Sequence, residues 1–485
     1  MTNRLKVKQW IFTLLCIAVA LACYWPGLAA PFMFDSTPAL RDNAALQFHN
    51  YTFDEWWAAI LSSASGPVRR PVSMFTFALN AAASGLQNSF SFNVTNLAIH
   101  GLNSALVFVC VALLYRSAPC LRSCTGVSDR NWIALIAAAA FLLHPINLTA
   151  VLYTVQRMTE LSCSFVLLAL AIFLKCRKRL LLHGFESMTV AEGIIWISVC
   201  TVLGALAKEN ALLIPWLILV VEVIFFRFKL AGVPNRRVRT LTLLGFALPL
   251  VALALYLLVL RPETIPAMYA DRVFTLPERL MTQAKVLWIY LYWIVVPSAP
   301  NAGLHHDDIE IVRSLWQPLT VISVTAWTVV ITLVIPVCVR RYPLIAFALA
   351  WYLVAHLLES TIVPLEMVYE HRNYAALLGI TVLVADTVWR LGSDRSRQRS
   401  AVIMLFLVAL AVPLGLRASL WSDETTLAAN QLRKHPESLR SRYHFANLNL
   451  QLADRATDVA ERKRSALVAE HYYRLMLELD SSDIV

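Results

Sequence analysis

The stretch MTELSCSFVLLALAIFLKCRKR, residues 158–179, decides the fold class of this chain. Its apolar centre, 159–174, is followed at once by a cluster of Lys and Arg at 175–179. Apolar segments of about 17–25 residues can cross a bilayer as a helix. Lys and Arg collect at the cytoplasmic ends of such helices. The stretch therefore predicts a membrane span whose C-terminal end faces the cytoplasm.

Comparable apolar runs recur over most of the 485 residues. They lie at 10–30, 93–115, 131–148, 191–207, 211–226, 240–260, 280–297, 318–339, 343–358, 374–389 and 400–416. Hydrophobic residues make up 58% of the chain and its mean hydropathy is +0.61, whereas soluble proteins have about 45–50% apolar residues. We therefore predict an all-α polytopic membrane protein that spans a lipid bilayer.

The basic residues predict the orientation of these runs. Clusters lie near 4–8, 116–130, 175–179, 227–239, 340–341 and 390–399, and placing all of them in the cytoplasm puts the N-terminus inside and a long loop, 31–92, outside. Both flanks of 280–297 then lie outside, so that run is predicted to be a re-entrant or interfacial helix, which leaves about eleven full spans. The net charge of +11 fits this arrangement, and no basic helix or zinc spacing indicates a nucleic-acid partner.

The chain divides into a membrane domain, 1–417, and a tail, 418–485, on the outer side. Apolar residues in the tail become sparse and periodic, which predicts amphipathic helices resembling one tetratricopeptide repeat. Repeat arrays need about three units to be stable. The tail is therefore predicted to pack on the membrane domain, unless the sequence is a shortened form.

Candidate catalytic carboxylates follow the first span, in FMFDSTPALRDN at 32–43. Asp35 is predicted to lie where hydrocarbon meets water, and Asp42 is the second candidate. A carboxylate there can deprotonate a hydroxyl nucleophile or bind a divalent cation such as Mg²⁺ or Mn²⁺.

Three arginines at predicted outer helix ends are candidate ligands of a lipid phosphate: Arg70, Arg157 and Arg372. Arginine binds phosphate through two parallel hydrogen bonds. The alternative roles are interfacial anchors or ion pairs, for example between Arg157 and Glu160 or between Arg372 and either Glu370 or Glu366. Supporting residues of the predicted site are Glu160, Glu370, His144 and Tyr374.

Other outer residues have plainer interpretations. The loop containing His305, His306, Asp307 and Asp308 could bind a metal, but a solvated loop is favoured. Tyr374 and Trp293 are interpreted as interfacial aromatic residues. No P-loop, dinucleotide-binding, zinc-protease or serine-hydrolase motif is found.

Six blocks, in order over 32–376, resemble the transmembrane and tetratricopeptide-repeat-containing O-mannosyltransferases and their bacterial relatives. They are FMFDSTPALRDN, RRPVSMFTFALN, FNVTNLAIHGLNSALVF, HPINLTAVLYTVQRMTELSCSFVLLAL, LAKENALLIPWLIL and VYEHRNYAAL. The resemblance implies a C-type glycosyltransferase fold, a polyprenyl-phosphate sugar donor and an active site on the outer face. It also suggests a bacterial inner membrane with a periplasmic site and tail. The family's first loop usually has two adjacent acidic residues, but here Asp35 is followed by Ser36.

We therefore expect an outer-face membrane glycosyltransferase that moves a sugar from a polyprenyl phosphate to the Ser or Thr hydroxyl of an exported protein, or to a glycan. The leaving phosphate needs cationic stabilisation more than a general acid. One alternative is an O-antigen ligase or polymerase, which differs only in its acceptor. The other is a transporter or scaffold, although no internal repeat of the transporter kind is evident.

Overall fold

The protein is mainly helical over the part of the chain that the structure describes. This computed structural model describes residues 3–122, 125–230, 232–297, 303–391 and 396–478. Two two-residue strands, β1 (Lys229–Leu230) and β2 (Val233–Pro234), form a small antiparallel turn with Lys229 opposite Pro234. The prediction of an all-α polytopic membrane protein is confirmed.

The membrane domain contains eighteen α-helices among the described residues. They are α1 (Asn3–Tyr24), α2 (Phe53–Ile60), α3 (Pro71–Ser84), α4 (Ser89–Ser117), α5 (Pro119–Arg122), α6 (Val127–Leu143), α7 (Leu148–Leu152), α8 (Arg157–His183), α9 (Ser187–Ala205), α10 (Ile214–Val221), α11 (Arg236–Leu255), α12 (Thr264–Tyr269), α13 (Leu276–Val295), α14 (Pro318–Val329), α15 (Ile335–Arg341), α16 (Pro343–Ala355), α17 (Asn373–Leu391) and α18 (Ser396–Leu420). π-Helical turns extend α10 and α11 and join α14 to α15.

Nine helical segments of the described chain are long and apolar enough to cross a membrane: Lys6–Gly27, Ser89–Ser117, Thr154–His183, Ser187–Ala205, Glu209–Phe226, Arg236–Leu255, Pro318–Arg341, Glu370–Leu391 and Arg397–Leu420. A tenth is possible if α6 and Pro145–Leu152, which meet at 47°, form one broken span. The predicted eleventh span corresponds to α16, a shorter apolar helix. Length and composition thus give nine or ten spans where the sequence predicted eleven.

Buried polar contacts separate into two groups that match the predicted sides of the bundle. In one group, Arg177 pairs with Glu222 at 3.0 Å and Tyr115 donates to Asp386 at 2.7 Å. All of these residues lie at helix ends predicted to be inside. The other group joins segments predicted to be outside, as in the pair between Arg417 and Glu370 at 2.7 Å. Segments predicted to face the same side therefore meet at the same end.

Helix α13 supports the segment between α16 and α17. Near its N-terminus, Arg279 donates to the carbonyl oxygens of Thr361 and Glu359 at 3.0 and 2.7 Å. Near its C-terminus, the Ile294 carbonyl oxygen lies 2.9 Å from Nε2 of His144. Both ends thus contact predicted outer segments, as an interfacial or re-entrant helix requires. That placement in a membrane stays a prediction.

The tail contains three helices, α19 (Glu424–Lys434), α20 (Leu439–Arg455) and α21 (Val459–Leu477). The last two correspond to the predicted amphipathic pair and pack side by side, whereas α19 was not predicted. Asp423 caps α19 by accepting a hydrogen bond from the Thr426 amide at 2.8 Å. The predicted tail extends to 485, but 479–485 lie outside the described residues.

The tail packs on the loop that contains His305 and His306. Gln431 accepts a hydrogen bond from the Leu304 amide at 3.1 Å, and Asp308 lies 2.8 Å from His435. Both loop histidines are buried, and burial lowers the pKa of His306 to about 3. The prediction of a solvated loop is therefore wrong for the two histidines, which the tail covers, whereas Asp307 is exposed and Asp308 is half-buried.

Candidate functional site

The first cationic side chain of the site is placed by a strained turn before α3. Arg69 and Arg70 have φ angles of 56° and 45°, in the left-handed region that non-glycine residues rarely adopt. This turn directs the Arg70 guanidinium to Glu209, with N–O distances of 2.9 and 3.3 Å. Gly66, at φ +73°, lies so close that a side chain there would collide with the Glu209 carboxylate.

The second cation is Lys208, at the end of the loop after α9. Its Nζ is buried and lies 3.0 Å from a Glu359 carboxylate oxygen and 2.9 Å from the Thr159 hydroxyl. Burial lowers the pKa of Lys208, and the charges of Arg70 and Arg372 lower it further against the effect of Glu359. Burial acts to raise the pKa of Glu359, but Lys208, Arg372 and His371 hold it at about 2. Burial is the main cause of the shift of Lys208, whereas the low pKa of Glu359 is what neighbouring positive charge produces.

Arg372 is the third cation, and it is held by its own loop. Its guanidinium donates to the carbonyl oxygens of Met367 and Glu366 at 2.9 and 2.7 Å. It also lies 5.4 Å from the centroid of the Tyr369 ring, within the range of a cation–π contact. The ion pairs considered as the alternative role of Arg372 are not found in the described part of the chain: Glu370 pairs with Arg417 at 2.7 Å, and the Glu366 carboxylate pairs with Arg440 at 2.9 Å.

Asp35 contacts Tyr153, and its charge acts on the hydroxyl of Tyr369. Phe34 has a φ of 47°, and the Asp35 amide donates to the Tyr153 hydroxyl at 3.1 Å. Burial raises the pKa of Tyr369, and the negative charges of Glu366 and Asp35 raise it further against Arg440. The Asp35 side chain is exposed. Asp35 thus presents a solvent-exposed carboxylate whose charge acts on Tyr369, the ring on which Arg372 packs.

The structure brings Arg70 and Arg372 from the sequence prediction together with Lys208 and Glu359, which the prediction did not select. Asp35 is connected with them through its charge effect on Tyr369. Lys208 lies within the block LAKENALL at 206–213, one of the six blocks of the family resemblance. That position was the sequence feature from which Lys208 could have been selected. Nothing in the sequence pairs it with Glu359, which is far along the chain. We refer to Arg70, Lys208, Arg372 and the carboxylates of Glu209 and Glu359 as the cationic cluster.

Two other predicted site residues lie apart from the cationic cluster. Arg157 is buried, and it donates to the Asn96 side chain at 2.7 Å and to the Thr76 and Phe92 carbonyl oxygens at 3.0 and 2.9 Å. It packs 4.4 Å from the Phe77 ring centroid rather than pairing with Glu160. Both Glu160 carboxylate oxygens are buried and have no hydrogen-bond partner among the residues that the structure describes. The guanidinium N–H groups of Arg157 that could bind a phosphate thus donate to acceptors inside the helix bundle instead.

The remaining predicted site residues form contacts within the protein. Asp42 is exposed and pairs with Arg41 at 2.8 Å. Tyr374 is buried and its hydroxyl lies 2.7 Å from His100 Nδ1; Trp293 is buried too. The interpretation of these two aromatic residues as interfacial is therefore wrong, because the bundle surrounds both. His144 and Glu370 bind Ile294 and Arg417, as described above.

Arg157→Ala is expected to destabilise the protein by about 3 kcal/mol or more, because it leaves buried acceptors unpaired and a cavity. The melting temperature in detergent should fall, and purification yield should fall with it. Arg433→Ala, at an exposed position of the tail, is the control and should leave both unchanged. An Arg157→Ala protein that melts like wild type but binds the donor poorly would return Arg157 to the phosphate site.

The environment of Asp35 does not fit a tightly bound divalent cation. No group of three His, Cys, Asp or Glu side chains within the described ranges could hold a metal ion. Ser36, which replaces the second acidic residue, is buried and accepts a hydrogen bond from the Val155 amide at 3.2 Å. No step proposed below depends on a metal.

Comparison with known proteins points to one group of enzymes. The chain is similar to the protein O-mannosyl-transferases. It is 28% identical over 217 residues to protein O-mannosyl-transferase TMTC3 of Mus musculus, covering 43% of this chain and 21% of that protein. It is 31% identical over 163 residues to TMTC3 of Homo sapiens, covering 32% and 16%. It is 26% identical over 324 residues to Tmtc2 of Drosophila melanogaster, covering 65% and 32%.

These matches confirm the family resemblance inferred from the six blocks. No family model matches the chain, and no solved structure matches it. The chain spans between about a sixth and a third of the length of these three relatives. The activity of the whole protein is therefore a matter of proposal.

Proposed function

We propose that this protein is a membrane glycosyltransferase that transfers a sugar from a polyprenyl phosphate to a Ser or Thr hydroxyl of a protein. The observation that carries the proposal is the cationic cluster. Arg70, Lys208 and Arg372 converge, and among the described residues Glu209 pairs with Arg70 and Glu359 with Lys208. One positive charge is left over, and the charges of Lys208 and Arg372 hold the pKa of Glu359 low against the effect of burial. The names of the relatives support a protein acceptor.

A surplus cation at a helix end favours an anionic ligand. Charges at membrane depth are costly unless they are paired or serve a site, and a phosphate offers oxygens to several donors at once. The three cations come from different segments: the loop before α3, the loop after α9 and the turn before α17. A phosphate in contact with all three would hold those segments together. We also propose that the site faces the outer, non-cytoplasmic side of the membrane. This orientation is supported by the clusters of Lys and Arg at the opposite ends of the helices.

Asp35 is assigned the role of general base. Its carboxylate accepts the proton of the acceptor hydroxyl while the hydroxyl oxygen attacks the anomeric carbon of the sugar. The bond between that carbon and the phosphate oxygen breaks, and the electron pair leaves with the polyprenyl phosphate. The cationic cluster stabilises the charge that develops on the phosphate. The proton then passes from Asp35 to solvent, which its exposed side chain permits.

The test uses the purified full chain with polyprenyl-phosphate mannose and other polyprenyl-phosphate sugars, and exported proteins as acceptors. Mass spectrometry should detect a hexose on Ser or Thr that requires the enzyme. A parallel comparison of exported proteins and surface polysaccharide, with and without the gene, distinguishes the acceptor classes. Altered polysaccharide with unchanged proteins would replace the proposal with a ligase or polymerase, the remaining alternative with the same donor chemistry.

The ionisation of Lys208 gives a pH-dependent prediction for donor binding. Its lowered pKa means that the cation is lost as pH rises through a value below the ordinary 10.5. The KM for the lipid donor should therefore rise at alkaline pH. Lys208→Arg, which stays charged at these pH values, should move that rise to higher pH. An identical alkaline profile in the two proteins would remove Lys208 from donor binding.

A further inference from the structure

The tail contacts the site through one arginine near the start of α20. Arg440 donates to the Tyr369 hydroxyl at 2.8 Å and to the Glu366 carboxylate at 2.9 Å. Asp307 fixes this end of the helix, because it accepts hydrogen bonds from the Arg440 amide and the Ser438 hydroxyl. Hydrogen bonds thus fix both the backbone amide and the guanidinium of Arg440, and its side chain is 42% exposed.

Tyr369 lies between Arg440 and the site. Its amide donates to the Tyr290 hydroxyl at 2.9 Å, and its ring stacks on His371 with centroids 5.0 Å apart. The Arg372 guanidinium lies over the ring, and the charge of Asp35 reaches the hydroxyl. Arg440 uses the tyrosine oxygen as an acceptor, so the hydroxyl proton points away from the tail arginine. The position of this phenol therefore depends on both the membrane domain and the tail.

We propose that Arg440 is a positioning residue of the transferase, which fixes the Tyr369 ring beneath the Arg372 guanidinium and so makes the docked tail part of the site. This inference rests on the proposed function of the cationic cluster. The tail then has two roles, since the helix that packs on the loop at 303–312 also supports the ring on which Arg372 packs. Solvent-exposed ion pairs contribute little, so any effect of Arg440 on the rate must come from what it positions.

Arg440→Ala is expected to lower kcat about tenfold with a smaller rise in the KM for the lipid donor, because the segment that it loosens also carries Arg372. Arg440→Lys keeps the charge but cannot reach both partners in the same geometry, so it should recover only part of the rate. The matched control is Arg442→Ala. Arg442 is on the same helix, but among the described residues it donates to tail carbonyl oxygens, those of Pro436 and Leu475.

A double-mutant cycle separates positioning from general loosening of the tail. If Arg440 acts through the phenol, Arg440→Ala should have almost no further effect on kcat in a Tyr369→Phe background. Additive losses would overturn the proposal. So would a wild-type rate in Arg440→Ala, or an equal loss in Arg442→Ala.

Hydrogen exchange gives a readout that does not need catalysis. Amides of 366–372 should exchange faster in Arg440→Ala than in wild type, and Arg442→Ala should leave them unchanged. Unchanged exchange in Arg440→Ala would overturn the proposal even if the activity falls. Failure of the proposed function looks different: the wild-type protein would transfer no sugar while the exchange difference remained.

Discussion

Asp35→Asn is expected to lower the rate of sugar transfer by about 100-fold or more while the protein stays folded in the membrane. Asparagine keeps the shape of the side chain but cannot accept the proton of the acceptor hydroxyl, and general-base catalysis contributes about 10²–10⁴-fold. The Asp35 amide still donates to Tyr153, because that contact involves the backbone. The melting temperature and the KM for the lipid donor should therefore change little.

The measurement is single-turnover transfer from a polyprenyl-phosphate sugar, with binding of polyprenyl monophosphate as a separate readout. Asp54→Asn is the matched control, because Asp54 is an exposed carboxylate in the same outer loop. Full activity in Asp35→Asn would remove Asp35 from the mechanism. Asp42→Asn would then be the next variant, although the ion pair with Arg41 makes Asp42 less available as a base.

The membrane spans could be predicted from sequence because they depend on local properties. Apolar length and the position of Lys and Arg are visible in one stretch, such as 158–179, without knowledge of its neighbours. The helix α19 was missed because it is short and polar and begins just after α18. Its capping residue, Asp423, was the one local signal. The burial of His305 and His306 could not be predicted, because a distant segment covers them.

The site was predictable only where its residues lie at the ends of recognisable helices. Asp35, Arg70 and Arg372 were selected on that ground. The same rule selected Arg157, which faces the interior, because sequence position does not reveal which way a helix-end side chain turns. Lys208 and Glu359 meet across two loops, and that pairing is a property of the packed bundle.

The backbone contributes information that composition does not contain. Phe34 and Arg70 have positive φ angles beside the proposed base and within the cationic cluster. Residues of this size pay a conformational cost there, and the surrounding contacts must hold them in place. Strained backbone at both Phe34 and Arg70 favours the interpretation that the neighbouring side chains are positioned to bind a ligand.

Arg372→Ala is expected to raise the KM for the lipid donor by about 10- to 100-fold. A hydrogen bond to a charged group contributes about 1.5–3 kcal/mol, and tenfold in binding corresponds to about 1.4 kcal/mol. If the contact strengthens as the phosphate leaves, kcat should fall as well. Arg372→Lys keeps the charge but loses the planar pair of donors, so it should also be impaired.

The competing account of Arg372 is structural, since its guanidinium already bonds the Met367 and Glu366 carbonyl oxygens. Arg279→Ala is the matched comparison, because Arg279 also bonds backbone carbonyl oxygens of the 359–365 segment and comes from α13. Both variants should lower the melting temperature. Polyprenyl monophosphate should raise the melting temperature of wild type and of Arg279→Ala, but not that of Arg372→Ala. If the lipid stabilises Arg372→Ala as strongly as wild type, Arg372 only closes its loop, and Arg70 and Lys208 bind the phosphate without it.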